Sequence, residues 1–99
     1  MNNTRRRAIR KVMKELKSNA PNWDFIQSEL SALLDEEQDA LDNIPESLQD
    51  TDRYAIGEES VDYLEAAVAA AEVDPDDDPE VIQDAIEEIL DALNAIDGI

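Results

Sequence analysis

Apolar residues recur at helical spacing along almost the whole chain, and this periodicity limits the fold more than any other feature. The longest run alternates intervals of three and four residues, through Trp23, Ile26, Leu30, Leu33, Glu37, Ala40 and Ile44. Such a heptad seam is typical of helices that pack side by side. No segment has the apolar–polar alternation that marks a half-buried strand. The pattern predicts an all-α protein.

Three main helices and a short basic one are predicted. We expect the basic helix within 1–18, with Thr4 as its N-cap, and the main helices over 22–43, 51–72 and 79–97. The first two main helices are each about 33 Å long at 1.5 Å per residue. Matched lengths and short connections favour an antiparallel helical bundle, or a long helical hairpin, in a single domain over 1–99. The basic helix either completes this bundle or reaches across to another copy.

The segments between the helices carry signals for helix ends. Asn22, Asp50 or Thr51, and Asp78 are the expected N-caps, because their side chains accept hydrogen bonds from free backbone N–H groups. Pro79 suits the first position of the last helix, and Gly98 suits its end.

The corner after the second helix is expected to be tightly structured. Asn43 suits the left-handed position that ends a helix, and Pro45 prevents the helix from continuing. Ile44 is then expected to fold back onto the helix, and Leu48 to plug the end of the core. Gly57, soon after the corner, is expected to kink or fray the first turn of the third helix.

Charge is divided unevenly along the chain. Residues 1–17 contain seven of the 8 basic residues and one acid, and carry a net charge of +6. Residues 18–99 contain 25 acids with Arg53 as the sole base, and carry −24. An acidic body with a basic arm informs us about partners and solubility rather than about fold.

The acidic body resembles duplex DNA in its density of charge. A 33 Å length of duplex carries about 19 phosphate charges. Like charges at i and i+4, each costing a few tenths of a kcal/mol, occur at Asp35/Asp39, Glu58/Asp62, Asp84/Glu88 and Glu87/Asp91. A solvated acidic surface without a partner is the alternative. The candidate protein-binding residues are Asp35, Glu36, Asp39, Asp42, Glu58, Glu59, Asp62, Asp84, Glu87, Glu88 and Asp91.

A second candidate site is cationic, and it would serve oligomer contacts or hold an anionic ligand. Its residues are Arg5, Arg6, Arg7, Arg10, Lys11, Lys14 and Arg53. The basic arm lacks interleaved aromatic residues and faces a strongly acidic body in cis, so direct binding of nucleic acid is not expected. Docking of the arm onto the acidic body of the same or a neighbouring copy is favoured, and we expect a homo-oligomer.

Glu37 stands at a core-type position of the heptad seam. Either it pairs with Arg53 or with an arginine of the first helix, or the seam rotates so that Leu34 and Leu41 face inward instead. The cost of burying an unpaired carboxylate favours the rotated seam.

The composition excludes most enzyme chemistry. The chain has no His and no Cys, and its two Gly residues stand alone. Zinc and haem sites, Cys/His nucleophiles and glycine-rich phosphate loops therefore lack their residues. We expect no enzyme, no cofactor and no metal. Asp74, Asp76 and Asp78 match the first ligands of a calcium-binding EF-hand loop, but Pro79 and Ala85 replace its required Gly and Glu.

Composition also bears on location. No apolar run approaches the ~20 residues of a membrane span, and the basic start has no apolar segment of the kind that secretory signals carry. The lack of Cys fits a reducing compartment. We therefore expect a cytoplasmic protein that does not contact a membrane.

One segment resembles a known group of proteins. Residues 36–54 read EEQDALDNIPESLQDTDRY. This segment resembles small acidic helical proteins of bacteriophages and prophages, which carry an N-[I/M]-P-E-x-L-Q stretch between two helices and basic residues near the N-terminus. The resemblance covers roughly residues 30–68. It implies a phage origin and the cytoplasm of a bacterial host, and it implies no particular activity.

Together these features predict a non-enzymatic acidic binding protein that occupies a basic, nucleic-acid-binding surface of a host protein. Inhibition of a host defence or DNA-handling system would fit. One alternative is a self-assembling helical scaffold. The other is an oligomeric sponge for a small anionic signalling nucleotide, which the arginines would hold between subunits.

Overall fold

The computed structural model describes residues 2–96 and 99, and in this part of the chain every regular element is a helix. Helix α1 spans Asn3–Leu16, α2 spans Trp23–Asp42, α3 spans Asp52–Ala70 and α4 spans Pro79–Asn94. A turn of 3-10 helix, Glu46–Leu48, lies between α2 and α3. The all-α prediction is confirmed. Within the described residues, no helix has both the length and the apolar character needed to cross a lipid bilayer.

Helices α2 and α3 begin where the sequence predicts. Asn22 Oδ1 accepts a hydrogen bond from Phe25 N at 3.2 Å. Thr51 Oγ1 accepts one from Tyr54 N at 3.4 Å. Each bond satisfies a backbone donor that the first turn of a helix leaves free.

The other two helix starts differ in detail from the prediction. Asn2 Oδ1 caps α1 by accepting from Arg5 N at 2.8 Å, so Thr4 lies inside the first turn and its prediction as the N-cap is wrong. Asp78 precedes Pro79 at the start of α4 as predicted, but the Asp78 side chain makes no capping hydrogen bond.

The four helices surround one shared core, and their order around it is the same as their order along the chain. Helix α2 packs against α1 and α3, and α4 packs against α3 and α1, so that α1 lies diagonally opposite α3. Every helix contributes side chains that are fully buried, among them Ile9, Val12, Ile26, Leu30, Leu64, Ala67, Ile89 and Leu93. Burying a large aliphatic side chain contributes about 1.5–3 kcal/mol. The heptad pattern therefore marks the faces that drive packing.

Two contacts fix how α2 lies along α3. Gln27 Nε2 donates a 2.7 Å hydrogen bond to the carbonyl oxygen of Ala71, just beyond the end of α3. Near the end of α2, Leu41 lies so close to Gly57 that a Cβ there would stand 2.9 Å from Leu41 Cδ1. Gly57 is buried within α3, where its missing side chain lets the helices approach closely. Helix α3 is continuous from Asp52 through Gly57.

The corner between α2 and α3 also departs from the prediction. Asn43 has φ −82° and ψ −4°, a right-handed conformation rather than the left-handed one expected. The last turn closes instead through a hydrogen bond from Ile44 N to the carbonyl oxygen of Leu41, which satisfies that carbonyl without a left-handed residue. The 3-10 turn then directs Leu48 outward, where its side chain is 49% exposed and does not plug the core. The predicted stop at Gly98 lies outside the described residues.

Candidate protein-binding surface

The eleven acids predicted to bind a partner lie on three helices, four on α2, three on α3 and four on α4. All of them are exposed. The apolar seam of each helix faces the core, so the charged positions between seam residues turn outward. These acids, called here the acidic surface, are Asp35, Glu36, Asp39, Asp42, Glu58, Glu59, Asp62, Asp84, Glu87, Glu88 and Asp91.

The acidic surface is not neutralised by any cation in the part of the chain that the structure describes. None of its eleven carboxylates forms an ion pair with any residue of 2–96 or 99. Instead, like charges follow one another at i and i+4, as at Asp35 and Asp39 on α2 and at Glu58 and Asp62 on α3. Such neighbours stand about 5–6 Å apart at Cβ and repel one another. A cationic surface brought against these carboxylates would relieve that repulsion.

The length of the molecule allows its number of acidic side chains to be compared with the number of phosphates in a DNA duplex of equal length. The protein measures 48 × 20 × 18 Å along its principal axes. A DNA duplex 48 Å long carries about 28 phosphate charges, and this chain carries 26 acidic side chains. The two bodies therefore present a similar number of negative charges per unit length.

Helix α1 docks mainly through its apolar stripe. Ile9, Val12 and Leu16 are buried in contact with the shared core. The candidate cationic residues lie around this stripe: Arg7, Arg10, Lys11 and Lys14 are exposed, and Arg5 and Arg6 are half-buried. Helix α1 thus joins the acidic body of its own chain, but most of its charges point to solvent.

The Arg5–Glu37 ion pair is the exception. Arg5 Nε donates a 2.7 Å hydrogen bond to Glu37 Oε2. Glu37 is 3% exposed, whereas Leu34 and Leu41 are only half-buried, so the predicted rotation of the seam is wrong. The guanidinium that α1 supplies offsets the cost of burying the carboxylate, and Glu37 keeps its place in the heptad.

A cleft opens beside this ion pair, where the start of α1, the end of α2 and the start of α3 meet. It encloses about 330 Å³. This tip cleft is lined by Asn2, Arg5, Glu37, Ala40, Leu41, Ile44, Arg53 and Gly57. Arg53 is exposed and forms no ion pair or hydrogen bond with the described residues. The structure therefore brings together Arg5 and Arg53, the two members of the cationic set that lie farthest apart in sequence.

The aspartate-rich loop before α4 stabilises its own turn. Asp74 Oδ1 accepts a hydrogen bond from Asp76 N, and Asp77 Oδ2 accepts one from Asp74 N, both at 3.0 Å. These are the local side-chain bonds that favour turns at Asp. Among the described residues, no three carboxylates gather as a metal ion would require.

Comparison with protein-family models, with curated proteins and with solved structures finds nothing that matches this chain.

Proposed function

We propose that this chain is a non-enzymatic binding protein whose acidic surface occupies a basic, nucleic-acid-binding surface of another protein. The observation that carries the proposal is that eleven exposed carboxylates on three helices lack any cation partner in residues 2–96 and 99. A cationic groove that binds the phosphates of duplex DNA could also bind these carboxylates, because they have the same sign of charge and a similar charge density.

The proposal includes an antiparallel bundle as the frame that holds the acids. Two contacts support it: Gln27 near the start of α2 reaches Ala71 at the end of α3, and Leu41 near the end of α2 lies on Gly57 near the start of α3. A rigid frame lowers the entropy lost on binding, because the helical backbone that carries the carboxylates is ordered beforehand.

The resemblance of residues 36–54 to phage proteins suggests the setting. In that setting the protein acts in the cytoplasm of a bacterial host, and its partner is a host defence or DNA-handling protein. Occupation of the partner's nucleic-acid site would inhibit it by competition, with no chemical step.

Affinity capture with a matched pair of variants tests this proposal. The first variant neutralises part of the acidic surface, through Asp35→Asn, Asp39→Asn, Glu58→Gln and Asp62→Asn. The control removes the same charge elsewhere on the exposed surface, through Asp24→Asn, Glu46→Gln, Asp50→Asn and Glu72→Gln. Each immobilised protein is incubated with bacterial lysate, and bound proteins are then challenged with duplex DNA.

We expect the wild-type chain and the control to retain nucleic-acid-binding proteins that duplex DNA displaces, and the first variant to retain much less of them. Equal retention by both variants would contradict the proposal. So would captured proteins that excess DNA leaves in place.

A self-assembling scaffold is the second candidate, and one observation favours it. A groove of about 720 Å³ runs between the end of α1 and the start of α4. Ile82 and Ile86 line it and are only half-buried, so this part of the α4 seam is incompletely covered. Light scattering tests the scaffold: it predicts a multimer for the full chain and a lower mass for Ile82→Lys, whereas a monomer in both samples would exclude it.

A further inference from the structure

We propose that the tip cleft binds a small molecule that carries one anionic group, a carboxylate or a phosphate monoester, on a short apolar body. This site is separate from the acidic surface, so neither proposal depends on the other.

The charge of the cleft is the first argument. Its lining includes the cations Arg5 and Arg53 and the single acid Glu37, which gives a local net charge of +1 on a protein of net charge −18. No acid of residues 18–96 forms an ion pair with Arg53. The Arg53 guanidinium can donate to two oxygens of an anion at once.

Arg5 supplies the second set of donors. Its Nε is held by Glu37, and its two terminal nitrogens form no hydrogen bond with the described residues. The ion pair thereby fixes the guanidinium within the wall of the cleft. A donor already held in place loses little freedom when an anion binds.

The apolar part of the ligand is inferred from the neighbouring surface. A second depression of about 450 Å³ adjoins the tip cleft and shares Ala40, Ile44 and Arg53 with it. Leu48 and Pro45 complete its apolar lining, and Leu48 is among the most exposed large apolar residues described. Both volumes fall within the range of about 300–1,000 Å³ that is usual for small-molecule sites.

An NMR titration with four small probes tests the site. Hexanoate and hexyl phosphate carry the anion and the apolar body, hexanol carries only the apolar body, and acetate carries only the anion. The amide signals of Ala40 and Gly57, which line the cleft, report binding at constant ionic strength. We expect both anionic amphiphiles to bind more tightly than hexanol and acetate. The stronger of the two identifies the preferred headgroup.

Two substitutions distinguish specific binding in the tip cleft from nonspecific attraction of the anion to exposed cations. Arg53→Gln should weaken binding of the preferred amphiphile by at least about tenfold, since a hydrogen bond to a charged group contributes that much or more. Arg7→Gln removes an exposed cation outside the cleft and should leave affinity unchanged.

If neither hexanoate nor hexyl phosphate bound more tightly than hexanol, the proposal would be overturned, because the arginines would then play no part. The same holds if Arg53→Gln binds as tightly as wild type, or if Arg7→Gln loses as much as Arg53→Gln.

Discussion

Arg5 Nε donates to Glu37 Oε2 over 2.7 Å, and this pair joins the basic helix α1 to the acidic helix α2 at the edge of the core. The side chain of Glu37 is 4% exposed and that of Arg5 is 16% exposed. The cation that pairs with this buried carboxylate lies 32 residues away in sequence. The contact therefore couples the docking of α1 to the integrity of the core.

Removing the Arg5 guanidinium should strongly destabilise the protein. We expect Arg5→Met to lower the free energy of unfolding by about 3 kcal/mol in urea denaturation, because Glu37 loses a charged partner while buried. Arg7→Met on the exposed side of α1 should cost under about 0.5 kcal/mol. The double variant Arg5→Met, Glu37→Leu should recover part of the loss. A double variant less stable than Arg5→Met would show that the pair is not coupled in this way.

Gly57 and Leu41 should be coupled in stability. In the wild-type background, Gly57→Ala gains helix propensity of about 1 kcal/mol but places a Cβ 2.9 Å from Leu41 Cδ1, so the two effects oppose each other. In a Leu41→Ala background that clash is absent, and the same substitution should stabilise the protein. Thermal unfolding of all four chains gives the coupling, and identical effects of Gly57→Ala in the two backgrounds would refute it.

Relief of repulsion on α3 should stabilise the fold. Asp62→Lys converts the repulsive Glu58/Asp62 pair into an attractive pair at i and i+4 on an exposed helix face. We expect a gain of about 0.5 kcal/mol or more in low salt, which shrinks as salt screens the charges. A gain that persists undiminished in molar salt would mean that its origin is not electrostatic.

Truncation of Leu48 should be nearly neutral. Its side chain is 49% exposed, whereas Leu64 is fully buried. Leu64→Ala should cost about 2–5 kcal/mol, and Leu48→Ala under about 0.5 kcal/mol. Chemical denaturation of the two variants measures the contrast, and comparable losses would place Leu48 in the core after all.

The sequence predicts helix type and core faces well because both follow from local spacing. The caps at Asn22 and Thr51, and the burial of Ile26, Leu30 and Leu33, follow from residue type and period alone. Local rules are weaker at the corner, where Asn43 adopts a right-handed conformation and the last turn of α2 closes through the hydrogen bond from Ile44 N to the carbonyl oxygen of Leu41.

The environment of Glu37 could not be decided from the sequence. Its burial depends on whether Arg5 lies beside it, and that depends on how α1 docks onto the other helices. The tip cleft was missed for the same reason, since its walls come from three helices. The small residues Ala40 and Gly57, which both line the cleft, were the available signal. The exposure of the acidic surface, by contrast, follows directly from the seam positions.

The most direct test of the central claim is the salt dependence of the dissociation constant for a basic protein captured by the acidic surface. Measured between about 50 and about 500 mM NaCl, log Kd for the wild-type chain should rise steeply and linearly with log salt, because each carboxylate–cation contact exchanges bound ions. The slope should be shallower for the variant with Asp35, Asp39, Glu58 and Asp62 neutralised. A dissociation constant that stays the same across this range, or equal slopes for the two proteins, would contradict the account.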